Sequence, residues 1–142
     1  MSGNFTFAMI KPNAFRQNYT GSILAMICEA GFRIQALKTT ILNKDEARQF
    51  YAIHRSKPFY EDLVTFMSSG PILVMILEKE NAVEDFRALI GNTDPSKAEE
   101  GTIRKLYARS VRANAIHGSD SDENARIEAD FFFSTRERFS WK

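Results

Sequence analysis

Pro71-Ile72-Leu73-Val74-Met75-Ile76-Leu77 is an almost unbroken apolar run. It is far below membrane-spanning length, and it lacks the alternation of a half-solvated strand. The run therefore predicts a strand covered on both faces and central in its sheet. Just before it, Ser68-Ser69-Gly70 stops a short helix over 59–67 that Pro58 opens, with Leu63, Phe66 and Met67 inward. Just after it, 81–90 reads as an amphipathic helix stopped by Gly91.

Further out, 5–10 is a β-prone apolar strand ended by Lys11-Pro12-Asn13, because Pro lacks an amide proton and disfavours helix in the residue before it. Ile23, Leu24, Ile27 and Cys28 share a face of a helix over 21–30 capped by Gly31, which makes Cys28 a core residue. An extended segment over 32–42 follows. Asn43 then opens a helix to about Ile53, with Asp45 and Glu46 in its first turn. After a polar loop over 92–100 come a short basic helix to about Ala108, a brief strand ending near Ile116, and a helix over 122–133. This order predicts an α+β fold of the split βαβ kind, with four antiparallel strands covered by helices.

The length of 142 residues and 44% apolar content suit a single domain spanning 1–142. Nineteen basic and eighteen acidic side chains nearly cancel, so no global field draws nucleic acid or an anionic membrane. Phosphate recognition would have to come from locally placed cations. Cys28 is the only cysteine, which excludes an intrachain disulfide framework. With no secretory leader and no spanning segment, the reading is a soluble cytoplasmic protein without a membrane partner.

No G-x-G-x-x-G and no G-x-x-x-x-G-K-[ST] occurs, so any phosphate chemistry avoids a P-loop. Asn114-Ala115-Ile116-His117-Gly118-Ser119-Asp120-Ser121 instead puts an imidazole at the end of an apolar strand, followed by a flexible glycine and a hydroxyl-carboxylate cluster. Such a histidine is either a nucleophile or a strand-end residue bonded to a local carboxylate. Asp120, Asp122 and Asn124 mimic the start of a calcium loop, but Ala125 and Phe131 stand where Gly and Glu are needed. The segment fits a helix N-terminus better. His54 has no partner at metal-ligand spacing and reads as an ordinary surface or packing residue. Arg104, Lys105, Arg109 and Arg112 read on their own as a solvated face.

The stretch 114–121 closely resembles the active-site signature of nucleoside diphosphate kinases. Ala8-Met9-Ile10-Lys11-Pro12, Tyr51, Pro58-Phe59, Ser69-Gly70-Pro71, Arg87, Gly91-Asn92-Thr93-Asp94-Pro95 and Gly101-Thr102-Ile103-Arg104 join it in order, covering essentially the whole chain. The resemblance implies a ferredoxin-like fold in the family's shorter, bacterial form. It implies phosphoryl transfer from a nucleoside triphosphate to a diphosphate through a phosphorylated His117, oriented by Glu128 and assisted by Ser119. By the same resemblance Arg87, Arg104 and Thr93 hold phosphates, and Lys11 and Asn114 reach the sugar hydroxyls and the phosphoryl in flight. Tyr51 sits beside the histidine, while Phe59 stacks on the base with Leu63 and Val111 completing an apolar slot. Stacking is worth about 1–3 kcal/mol and reads no hydrogen-bond code, so broad base specificity follows.

Mg²⁺ would arrive with the ATP or other triphosphate, with no carboxylate cage beyond a contribution from Asp120. A homo-oligomer using the loop 92–100 is also implied. Gln17-Asn18 and Glu100 depart from the family pattern, at positions that the resemblance implies lie near subunit contacts. Two other readings compete: a non-catalytic nucleotide-binding or scaffolding protein on the same fold, and a sheet-based nucleic-acid binder. The first would show damage at His117, Lys11 or Arg104, and the second would want a basic balance and exposed strand aromatics. Neither mark is present.

Overall fold

The computed structural model describes residues 3–111 and 113–141. Its sheet is built on β1 (Phe5–Ile10) and β3 (Ile72–Glu78), which pair antiparallel with Phe7 opposite Ile76 and Met9 opposite Val74. β2 (Arg33–Thr40) lies outside β3, and β4 (Ile116–Gly118) lies outside β1, giving the order β2-β3-β1-β4 with every neighbour antiparallel. The central position expected for the Ile72 to Leu77 run is found, and every residue of the run is buried. A bulge between Ile34 and Ala36 leaves Gln35 to bond Glu78.

Strand alternation divides the interior into two layers. Ala8 and Ile10 of β1 face Ile23 and Ile27 of α2 (Thr20–Glu29) and Phe86 and Ile90 of α5 (Ala82–Ile90). Phe7 and Met9 face Ala47 of α3 (Lys44–Phe50), Val64 and Met67 of α4 (Tyr60–Met67), and Ala129 of α7 (Asp122–Phe132). Full burial of Phe86, Ile23 or Met67 contributes about 1.5–3 kcal/mol each. The predicted opening of α3 is present as a reciprocal cap: Asn43 Oδ1 accepts from the Glu46 amide at 2.8 Å, and Glu46 Oε1 accepts from the Asn43 amide at 3.0 Å.

Several sequence readings need correction. Pro12 does more than end β1: it begins α1 (Pro12–Arg16), occupying the first helical position, where a missing amide proton costs nothing. α3 stops at Phe50, and a separate 3₁₀ turn follows at Ala52–His54. In α4 the deepest residues are Tyr60, Val64 and Met67, with Leu63 and Phe66 only partly buried. Cys28 is exposed, because α2 buries a stripe no wider than Ile23 and Ile27. The last strand begins at Ile116 instead of ending there. Of the basic cluster, Arg112 lies outside the described residues; α6 (Ile103–Tyr107) carries Arg104 and Lys105, and Arg104 is buried.

Candidate active site

The register of β4 on β1 orients the site. Ile116 lies opposite Ile10 and points into the α2/α5 layer, so the next residue, His117, lies opposite Met9 and faces α7. Immediately upstream, the Ile116 amide donates to Asn114 O at 2.9 Å around Ala115, whose φ is +75°. This three-residue turn is strained for a residue with a Cβ, and it is held by the Lys11 amide donating to Ala115 O at 2.8 Å. It locks the end of β1, which carries Lys11, to the start of the strand that carries His117. Downstream, Gly118 is required for close approach and not for flexibility. A Cβ there would lie 2.8 Å from the Phe86 ring.

α7 supplies the carboxylate. Ser121 caps it by accepting from the Asn124 amide at 3.0 Å. Ala125 and Ala129 are its buried residues, small enough to bring the helix close over β1. Glu128 then reaches His117, with Nε2 and Oε1 2.8 Å apart. Ser119, fully buried, donates to the same Oε1 at 2.7 Å and accepts from the Phe7 amide at 3.3 Å. Its hydroxyl therefore acts on Glu128 and not on the imidazole. With Nε2–H committed to the carboxylate, Nδ1 holds the free lone pair.

The imidazole opens into a cleft of about 860 Å³, inside the usual range for a small-molecule site of about 300–1,000 Å³. One end is cationic, where Lys11, Arg87 and Arg104 converge with none in an ion pair among the described residues. Arg104 is fixed by donating to Gly91 O at 3.0 Å and Ile116 O at 2.8 Å, while Arg87 reaches Asp120 O at 3.5 Å. Burial, aided by Arg104, pulls the Lys11 ammonium down to about 7, and burial with Arg87 lowers Arg104 to about 10. Mutually repelling, desolvated cations are favoured by a negative charge placed among them. Asn114 adds a buried Oδ1 with no partner among the described residues, and Thr93 lines the same end.

The other end is apolar, formed by Phe59, Leu63 and Val111, with Phe59 48% and Val111 55% exposed despite their size. A series of rings connects the two ends. Phe50 lies 5.7 Å from His117, Tyr51 4.9 Å from Phe50, His54 6.4 Å from Tyr51 and Phe59 5.7 Å from His54, centroid to centroid. Burial, aided by Glu128, raises the Tyr51 phenol, which stays neutral beside the histidine.

All the site residues read from the sequence converge except Ser119, which sits just behind the cleft wall. His54 needs correction. It lines the cleft with a buried Nδ1 that has no partner among the described residues, and burial followed by Lys57 lowers its pKa below the ordinary value. Its spacing of three from Tyr51 was the available signal. Phe50, Ile53, Asp62 and Ser110 also line the cleft and were not singled out.

The donor set does not form a cage for a metal ion. Glu128 is occupied by His117 and Ser119, Asp120 Oδ1 accepts from Asn124 at 2.6 Å, and no group of three metal-ligating side chains occurs among the described residues. These residues fit Mg²⁺ only as an ion carried in on the phosphates of a substrate.

The sequence profile described as nucleoside diphosphate kinase matches residues 4–138. A curated nucleoside diphosphate kinase from Flavobacterium psychrophilum is 57% identical over 139 residues, covering 98% of this chain and all of the relative. One from Chlorobaculum tepidum is 59% identical over 132 residues, covering 93% of this chain and 94% of the relative. Among solved structures, the Aquifex aeolicus nucleoside diphosphate kinase superposes with a TM-score of 0.93 at 39% identity, covering 96% of this chain and 99% of its own. A halophilic nucleoside diphosphate kinase from Halobacterium salinarum in complex with CDP also gives 0.93, at 33% identity over 99% of this chain and 94% of its own. With a matching profile over nearly its full length and relatives this similar in sequence and fold, the chain belongs to the nucleoside diphosphate kinase family.

Proposed function

We propose that this kinase moves the terminal phosphoryl group of a nucleoside triphosphate to a nucleoside diphosphate in two half-reactions through His117 Nδ1. The observation that carries the reading is the commitment of Nε2 to Glu128 at 2.8 Å, which leaves Nδ1 to a cleft whose cations form no ion pair among the described residues. In the first half-reaction the Nδ1 lone pair forms a bond to the terminal phosphorus as the bond to the bridging oxygen breaks. The electron pair leaves with the diphosphate. The ring becomes a phosphorylated imidazolium whose Nε2–H remains on Glu128, so the carboxylate offsets the new positive charge. The second half-reaction reverses these steps with a different diphosphate.

Lys11, Arg87 and Arg104, with Thr93 and Asn114, take the roles of holding and neutralising the phosphates, since this reaction depends on positioning and charge more than on covalent help. Binding an anion beside Lys11 raises its pKa, so the ammonium is charged when the phosphoryl moves. Mg²⁺ carried on the substrate phosphates would add charge neutralisation there, and Asp120, whose Oδ1 accepts from Asn124, would be the carboxylate to contribute to holding it. Phe59, Leu63 and Val111 take the base by stacking, which leaves purines and pyrimidines both acceptable. The CDP in the Halobacterium salinarum structure supports a nucleotide as occupant.

A non-catalytic nucleotide binder has no need of the His117–Glu128–Ser119 arrangement, and the three residues are in bonding contact. We further read residues 1–142 as one working domain that assembles as a homo-oligomer through the loop 92–100. No helix among the described residues is long and apolar enough to cross a membrane, and the single cysteine supports a cytoplasmic setting. Initial-rate kinetics with both substrates varied test the reading: parallel double-reciprocal lines are expected. Intersecting lines, as a ternary complex requires, would refute it.

A further inference from the structure

We infer that Asp62 is a specificity-determining residue that favours bases carrying an exocyclic amino group over those carrying a carbonyl at the same ring position. The inference rests on the proposed occupancy of the apolar slot by a nucleobase.

Three carboxylates line the cleft, and two are already engaged. Glu128 holds His117 and Ser119, and Asp120 accepts from Asn124 beside the cationic end. Asp62 forms no hydrogen bond or ion pair among the described residues. Its neighbour Glu61 turns away to Arg48, 3.6 Å distant.

The fold places Asp62 at the base end. Phe59 is the N-cap of α4 and the outermost ring of the series leading from His117, and the Leu63 amide donates to Phe59 O at 2.9 Å. Within that first turn Asp62 and Leu63 follow Phe59 by three and four residues, so all three share one helix face toward the cleft. Lys57 lies over the Phe59 ring at 5.6 Å but does not line the cleft, so among the described residues Asp62 is the charged side chain at the slot.

A carboxylate accepts hydrogen bonds and donates none. Beside the edge of a stacked base it bonds an amino group and repels a carbonyl oxygen. Cytosine and uracil differ in this way at one ring position, as do adenine and hypoxanthine, while each pair offers nearly the same face for stacking. One exposed hydrogen bond supports a preference of about three- to tenfold, a bias within a broad specificity.

The test is kcat/KM for CDP against UDP as acceptors, and for ATP against ITP as donors, in the unmodified protein and in Asp62→Asn. A carboxamide can donate as well as accept, so both ratios should fall from about three- to tenfold to within about twofold. A ratio is insensitive to the fraction of protein folded, so a loss of stability cannot imitate this result. Equal ratios in the two proteins, or an unmodified protein that prefers the carbonyl bases, would overturn the inference. Failure of the underlying reading looks different, because the unmodified protein would then transfer to neither acceptor.

Discussion

Replacing Lys11 by Met should make the protein more stable and far less active, with a stability gain that depends on pH. Lys11 is 6% exposed, its ammonium has no bonded partner among the described residues, and it lies beside Arg104. Lowering its ammonium from the ordinary 10.5 to about 7 corresponds to a cost on the order of 5 kcal/mol in the folded state. Met keeps the stem and drops the charge. Replacing unpaired buried ions with apolar side chains of similar shape recovers about 1–4 kcal/mol, the gain expected at about pH 6. The sign follows from linkage. Between about 7 and 10.5 the unfolded chain keeps the lysine proton that the folded chain has released, so the stability of the unmodified protein rises with pH across that window. Below it the full cost is present, and towards its top the cost disappears. The advantage of Lys11→Met should therefore shrink below about 1 kcal/mol by about pH 10. Urea unfolding followed by circular dichroism, at fixed protein concentration and at both pH values, gives the difference. kcat/KM should fall by roughly 10²–10³, the effect of losing one transition-state cation. A variant less stable than its parent at about pH 6, or a gain that does not change with pH, would refute this account of Lys11.

Arg104→Met should move stability the other way, losing about 1–3 kcal/mol by melting because Gly91 O and Ile116 O lose their donor, with kcat/KM again down roughly 10²–10³. Glu128→Gln keeps an oxygen to accept from His117 and Ser119 but removes the charge that steadies the imidazolium, so single-turnover phosphorylation should slow about tenfold or more. Glu100→Pro should stabilise by about 0.4–1 kcal/mol without loss of activity. Glu99 O accepts from the Thr102 amide at 3.3 Å and Gly101 has φ +85°, so Glu100 occupies the turn position that favours Pro. A lower melting temperature, or smaller particles by light scattering, would show that Glu100 makes a contact Pro cannot replace.

The parts of the fold legible in the sequence were those set by local pattern. The unbroken Ile72 to Leu77 run located the central strand, and Asn43 with Glu46 located a helix start. The illegible parts depend on contacts distant in sequence. Ala115 adopts φ +75° because Lys11, brought alongside by β1, bonds its carbonyl, and that turn delays β4 until Ile116. Nothing local to 114–116 signals it. His54 reaches the cleft because the helix breaks after Phe50 and a 3₁₀ turn redirects the chain, whereas a continuous helix to Ile53 would aim it differently. Cys28 shows the limit of periodicity: the stripe was placed correctly, but its width is set by what covers it. The residues around His117 were legible through resemblance, while the commitment of Ser119 to Glu128 depends on how α7 packs over β1.

The central claim is that Nδ1 of His117 carries the phosphoryl group, and it can be tested on the intermediate itself. The protein is incubated with ATP and Mg²⁺, freed of nucleotide and kept out of acid, because a phosphorus–nitrogen bond is acid-labile. Intact mass then counts the phosphoryl groups, and phosphorus-31 NMR with nitrogen-15 histidine identifies the bonded ring nitrogen. One phosphoryl group on Nδ1 of His117, discharged by a nucleoside diphosphate and absent in His117→Ala, is the expected result. Phosphorylation at Nε2, the nitrogen held 2.8 Å from Glu128, or equal phosphorylation of His117→Ala, would contradict the account.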